Sequence, residues 1–271
     1  MKRIVTALII VTALSLVTGA VPTVVATHAV YGEFARVVGG DLVNVITIIP
    51  SGFCPDHYDL APSDVRAVVG ASIIFYSGFE SWIGTLATAT ASTAKVIQLP
   101  GTWNTPDAAI AKVQAVETAL EDLLPDQREK LASNAAAYIA QLEALASDLH
   151  AQASAHAAGS VPVVCMAWQE SFVTWLGFHV VATYGKPETL SLSDLVSLTA
   201  TGREAGAQMV IDNLQSGLDF GAKLAHEVAA VHVVLSNFPG AMPNTATVPE
   251  LLAANASALF AALQLPVGGT P

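Results

Sequence analysis

Apolar residues along the first hundred positions fall in short β-branched runs separated by stretches of mixed character. Residues 42–49 (LVNVITII) lie between Gly39-Gly40 and Pro50-Ser51-Gly52, so they read as a strand running into a loop. Thr23 to Thr27, Ala71 to Tyr76 and Lys95 to Leu99 read the same way. Between them, Val30 to Val38 and Ser63 to Val69 suit helices, the second opened by the capping signal Ser63-Asp64. Strand and helix alternate, which predicts a parallel sheet with helices on its faces.

From Asp126 to His156 the rhythm changes: Gly and Pro are absent, and Leu131, Tyr138, Leu142, Leu145 and Leu149 keep the three-and-four spacing of one helical face. About 30 residues at 1.5 Å each make a rod of roughly 45 Å, started at Pro125-Asp126 and ended by Gly159. The second half returns to alternation. Strands are predicted at Val161 to Met166, His179 to Thr183, Gln208 to Ile211 and Ala230 to Leu235. Helices are predicted from Phe172, over Leu192 to Glu204, Gly217 to Val228 and Val248 to Leu263. The fold class is therefore α/β: two Rossmann-like lobes, residues 21–125 and 159–271, joined by one long rigid helix over 126–158, with a ligand cleft between them. Ligands in such sheets sit outside the carboxyl ends of the strands.

The chain opens with Met1-Lys2-Arg3 and an apolar stretch from Ile4 to Leu16, shorter than the roughly 20 residues a spanning helix needs. Residues 1–20 are predicted to be a signal peptide cut after Ala20, with a retained anchor as the alternative; the protein is expected outside the cytoplasmic membrane. Eleven Lys and Arg against 22 Asp and Glu give a net charge of −11, which repels phosphate backbones and argues against nucleic acid. A cation would be drawn in. Only two cysteines, Cys54 and Cys165, occur in a chain too large to need disulfide staples.

Thr27-His28 follows the first predicted strand, Cys54-Pro55-Asp56-His57-Tyr58 the second, and Tyr76-Ser77-Gly78-Phe79-Glu80-Ser81-Trp82 the third. With Pro62-Ser63-Asp64 between them, these residues resemble the first-lobe signature of the cluster A-I, zinc- and manganese-type ABC transporter substrate-binding proteins (periplasmic solute-binding protein family 9). That signature runs Asp-Pro-His-x-Tyr, then Pro-Ser-Asp, then an Asn-Gly-like turn before Glu and Trp. Thr102 to Pro106, Asn134 to Tyr138, Phe172 to Gly177 and Asn255 to Leu263 extend the likeness over nearly the whole chain. The resemblance implies capture of a transition metal ion for an ABC permease with its ATPase, by a monomer.

The metal ligands of that family do not carry over cleanly. Its first histidine falls on Asp56, the second on Gly101, the third ligand on Met166 and the fourth on Ser236. Candidate replacements stand beside these positions: Cys54 and His57 in the first-lobe loop, Cys165 next to Met166, His28 at one strand end and Asp212 at another. Thiolate plus imidazole suits Zn(II), Cu(I) or Ni(II); zinc is the cargo expected foremost, with copper, nickel and manganese as further candidates. The two cysteines are open to three readings: core packing, a disulfide across the cleft, or joint metal ligation.

His150, His156, His226 and His232 read as solvated or structural, and Trp168 and Gln169 as lining for a ligand larger than an ion. Gly-x-Ser-x-Gly, Walker A and His-Glu-x-x-His patterns are absent, so no enzyme is expected. The alternatives to metal-ion capture are a metal chelate or small organic solute on the same scaffold, or an adhesin-like surface protein.

Overall fold

The computed structural model describes residues 20–265; the signal segment expected over 1–20 lies, apart from Ala20, outside the described residues. The first lobe alternates β1 (Thr23–His28), α1 (Ala29–Gly39), β2 (Asn44–Ile49), α2 (Pro62–Val69), β3 (Ile73–Tyr76), α3 (Ile83–Ala89) and β4 (Lys95–Gln98), then α4 (Pro106–Leu123). After the long α5 (Arg128–Ala155), the second lobe runs β5 (Pro162–Met166), α6 (Glu170–Trp175), β6 (His179–Tyr184), α7 (Leu192–Glu204), β7 (Met209–Asn213), α8 (Asp219–Val228), β8 (Val231–Leu235) and α9 (Val248–Ala262). Both sheets are parallel and share one topology, β2-β1-β3-β4 and β6-β5-β7-β8. In each, the first strand of the lobe has its neighbours in chain order on opposite sides. That is the switch point at which α/β sheets open a crevice.

Strand alternation divides the core into layers. Val24, Ala26, Ile73 and Phe75 of the first sheet, with Val163, Cys165, Met209 and Ile211 of the second, belong to one apolar core that runs through both lobes. The same core takes in Tyr31 and Phe34 of α1, Val113, Val116 and Leu120 of α4, Leu131, Leu142 and Leu149 of α5, and Leu252 and Leu259 of α9. Residues one place over, Val25 and Ile74 or Val164, Met166 and Val210, point the other way into two smaller cores under α2–α3 and α7–α8.

α5 is 28 residues long, about 42 Å at 1.5 Å per residue, and buries Leu131, Ala135, Tyr138, Leu142, Leu149 and Ala153 along one face. It is a strut shared by both lobes. A second tie crosses beside it: the buried Glu33 carboxylate of α1 accepts from the Tyr138 hydroxyl of α5 and, at 2.8 Å, from the Val248 N–H that opens α9. An anion at a helix N-terminus is favourably placed, while burial pushes the Glu33 carboxyl up.

Candidate functional site in the cleft

Loops that follow the strands meet between the lobes. After β3, Gly78 adopts φ +108°, a conformation disfavoured for L side chains, and an added Cβ would lie 2.2 Å from Gln98 Nε2. The turn points the Ser77 and Gly78 N–H groups, each 3.0 Å away, at the buried Glu80 carboxylate, which also accepts from the Ser77 and Thr27 hydroxyls. Burial raises that carboxyl, but the bonds from Thr27 and Ser77 and the charge interaction with His28 prevail and hold it below its usual range. Glu80 is thus an internal brace of the loop.

Across the cleft the lobes are joined by aromatic and carboxamide groups. The Trp103 indole N–H donates to the Asn237 carbonyl at 2.9 Å, and the Trp103 ring stacks on Phe238 with centroids 5.7 Å apart. Phe79 meets Trp168 edge-on at 5.1 Å. Asn104 donates to the Trp168 carbonyl at 2.9 Å, while within the second lobe Gln169 donates to Asn213 and Asn237 at 3.0 and 3.1 Å. The Lys186 ammonium pairs with Asp56, and Gln215 donates to the Ser51 carbonyl. What remains is a cavity of about 50 Å³ lined by Cys54, Asp56, Trp103, Trp168, Lys186, Asn213, Asn237 and Phe238. That is room for a few water molecules, well below the ~300 Å³ at which drug-sized pockets begin. A second depression of about 230 Å³ over Thr102, Asn104 and Ser171 adjoins it.

The residues expected to hold a metal do not converge. Cys165 is fully buried in the shared core, where burial pushes its thiol up to about 12, so neither ligation nor a disulfide involves it; both cysteines are free. Met166 points to the opposite face of β5 and its sulfur accepts the Trp168 N–H. Asp212 is also fully buried, on the outer face of β7, bonded by the Tyr184 hydroxyl at 2.7 Å and paired with His232 at 2.9 Å. Ser236 is locked in a turn, accepting from Gln215 and donating to the Phe238 carbonyl.

The first-lobe loop splits its donors. Pro55–His57 forms a single 3₁₀ turn that leaves Cys54 on the cavity wall but carries His57 outward, its side chain 64% exposed and 3.7 Å from Glu188. Asp56 is engaged by Lys186. His28, at the end of β1, is 1% exposed beneath Trp103 and Phe238. Among the described residues no group of three or more His, Cys, Asp or Glu side chains could hold a metal ion. Of the candidates, only Cys54 and Asp56 line the cavity and His28 lies behind its wall.

Further lining residues stand two or three places beyond the expected strand ends. Asn237 and Phe238 follow Ser236, Asn213 follows Asp212, and Lys186 follows β6 by two residues; all line the cavity. The signal that could have found them is the same rule carried two positions further beyond each strand.

The ZnuA family, described as zinc-uptake complex component A, periplasmic, matches residues 24–262. A metal ABC transporter substrate-binding lipoprotein of Streptococcus cristatus is 26% identical over 149 residues, covering 45% of this chain and 48% of the relative. A manganese-binding lipoprotein of Halalkalibacterium halodurans is 25% identical over 147 residues, covering 48% and 49%. The chain thus spans about half the length of the curated relatives it matches. The zinc-binding periplasmic protein TroA of Treponema pallidum superposes with a TM-score of 0.78 at 19% identity, covering 89% of this chain and 99% of its own. A Mn-bound periplasmic metal-binding protein of Candidatus Liberibacter asiaticus gives 0.79 at 17% identity with the same coverage. With a match that takes in both lobes and the strut between them, the chain belongs to the ZnuA family.

Proposed function

We propose that this protein is the extracytoplasmic solute-binding component of an ABC importer, that its cargo is a transition metal, and that its partner is a membrane permease with its ATPase. The observation that supports this reading is the family match over residues 24–262, spanning both lobes and α5. The names of the relatives point to manganese, iron or zinc, and the proposal assigns no enzymatic activity. No described helix is long and apolar enough to cross a membrane.

The cleft favours a particular form of cargo. Its polar groups are mainly carboxamides and its walls are aromatic, with no three-donor cluster among the described residues. A bare ion, which in family fashion would be encased by protein donors, finds few here; a metal that arrives with part of its own ligand shell needs fewer. Elemental analysis of protein purified without chelator tests the cargo class, together with calorimetric titration of Zn(II), Mn(II) and Fe(II) alone and with small carboxylate chelators. Stoichiometric metal in any of these supports the reading. Absence of binding in all of them removes the metal and leaves an organic solute.

A further inference from the structure

The second depression, of about 230 Å³, has a polar pattern of its own, and Asn104 is its pivot. The Asn104 amide nitrogen donates to the Trp168 carbonyl at 2.9 Å, which fixes the orientation of the group and turns Oδ1 toward two hydroxyls. Ser171, from the other lobe, donates to Oδ1 at 2.6 Å, and Thr102 donates to the same atom. A hydroxyl has one proton, so both protons are directed to Asn104. The Thr102 and Ser171 oxygens nonetheless stand 3.1 Å apart. Two oxygens that close with no proton between them repel, and a further donor placed against both would relieve them. The Asn104 N–H takes up one lone pair of Thr102 at 3.3 Å; the acceptor capacity that remains belongs to two residues that line the depression.

Three aromatic rings complete the lining. Phe79 stands edge-on to Trp168 at 5.1 Å and to Trp103 at 6.4 Å. Phe79 and Trp168 are 40% and 36% exposed, so ring surface is open to a ligand. The faces of Trp and Phe attract a cation. Among the described residues no charged side chain lines the depression, and Lys112, whose ammonium would lie 3.9 Å from a Cβ on Gly101, is engaged by the Pro100 carbonyl. The net charge of −11 favours a cation over an anion on approach. A bare metal ion is poorly matched, because two neutral hydroxyl oxygens replace none of the carboxylate, imidazole or thiolate donors that such ions take.

We propose that this depression binds a small organic ammonium, a protonated primary amine. Its N–H groups donate to the Thr102 and Ser171 oxygens, and its charge rests against Trp168 and Phe79. One oxygen comes from each lobe, so the amine bridges them. The space is below the ~300 Å³ at which drug-sized pockets begin, which limits the ligand to a short chain. This site goes beyond the metal reading and does not depend on it.

The test is calorimetric titration of the wild type at pH 7 with n-butylammonium chloride, butan-1-ol and tetramethylammonium chloride, and of Ser171→Ala and Trp168→Leu with butylammonium. The expected result is saturable one-to-one binding of butylammonium. The alcohol lacks the charge and tetramethylammonium lacks an N–H, so each should bind at least about 10-fold more weakly. Both variants should weaken butylammonium by about 10-fold, the range of a charge-assisted hydrogen bond and of a desolvated cation–π contact. No binding of butylammonium, equal binding of the alcohol or of tetramethylammonium, or parental affinity in either folded variant overturns the inference. Should Ser171→Ala fail to fold, because Ser171 holds Asn104, Trp168→Leu at its partly exposed position decides alone. The Zn(II), Mn(II) and Fe(II) titrations are read separately: metal binding without amine binding overturns this site and leaves the importer reading, and amine binding without metal binding does the reverse.

Discussion

Buried imidazole at the cleft makes a quantitative prediction about acid stability. Burial, opposed by the neighbouring Glu80 carboxylate, lowers the His28 pKa from 6.5 to about 4. Between those values the unfolded chain binds a proton that the folded chain does not, so stability rises with pH through this window and falls on acidification. The full contribution, 2.5 pKa units at 1.36 kcal/mol each, is about 3 kcal/mol. Integrating the same linkage from pH 7 down to 5 gives a loss of about 2 kcal/mol.

The perturbation is His28→Phe, which keeps a ring among Tyr31, Trp103 and Phe238 but cannot titrate. The assay is urea unfolding of both proteins at several pH values between 7 and 5, read as the difference between wild type and variant so that titrating groups remote from His28 cancel and the charge-linked Glu80 is read together with it. The wild type should lose about 2 kcal/mol relative to the variant over that range. A difference that does not change with pH would show that His28 is not held neutral. A difference of opposite sign would show that Glu80 stabilises an imidazolium at this position.

Other expectations follow from the same contacts. A thiol reagent should modify Cys54 in the native protein but reach Cys165, buried in the shared core with its pKa pushed up to about 12, only on unfolding; one rapid and one denaturation-dependent equivalent is the readout. Gly221→Ala should destabilise the second lobe by about 1–3 kcal/mol in urea titration, because the new Cβ would stand 2.1 Å from Asp212 Oδ2 and 2.7 Å from the Tyr184 hydroxyl. Small-angle scattering should give the same radius of gyration with and without saturating Zn(II), since α5 and the Glu33–Val248 bond brace the lobes; closure like that of strand-hinged binding proteins would contradict this. Lys186→Met should change stability by less than about 1 kcal/mol, the usual ceiling for a partly exposed ion pair.

Much of the fold was legible because β-branched runs bounded by Gly and Pro mark strands, and the long uninterrupted stretch before Gly159 marks the strut. α4 was overlooked although Thr105-Pro106 caps it and Ala109, Val113, Val116 and Leu120 are buried at helical spacing. α3 has a weaker signature, with Gly84, Thr85 and Thr88 inside its seven residues. The site was less legible because proximity in sequence is not convergence in space. Cys165 and Met166 are neighbours on a strand and must point to opposite faces. Asp212 shares a face with Val210, under α8, and not with the cleft. A single 3₁₀ turn separates the directions of Cys54 and His57.

The family fold and the lack of a three-donor cluster among the described residues have a common physical basis. The shared core, α5 and the Glu33 bond hold the lobes together, and almost none of those residues lines the cavity. The cavity residues sit on loops after strands, where substitutions change chemistry at little cost to packing. In such a braced scaffold, admission of cargo falls to the few side chains that fill the cleft. Trp103 and Phe238 hold each other and the Asn237 carbonyl, and any cargo must offset those contacts to enter.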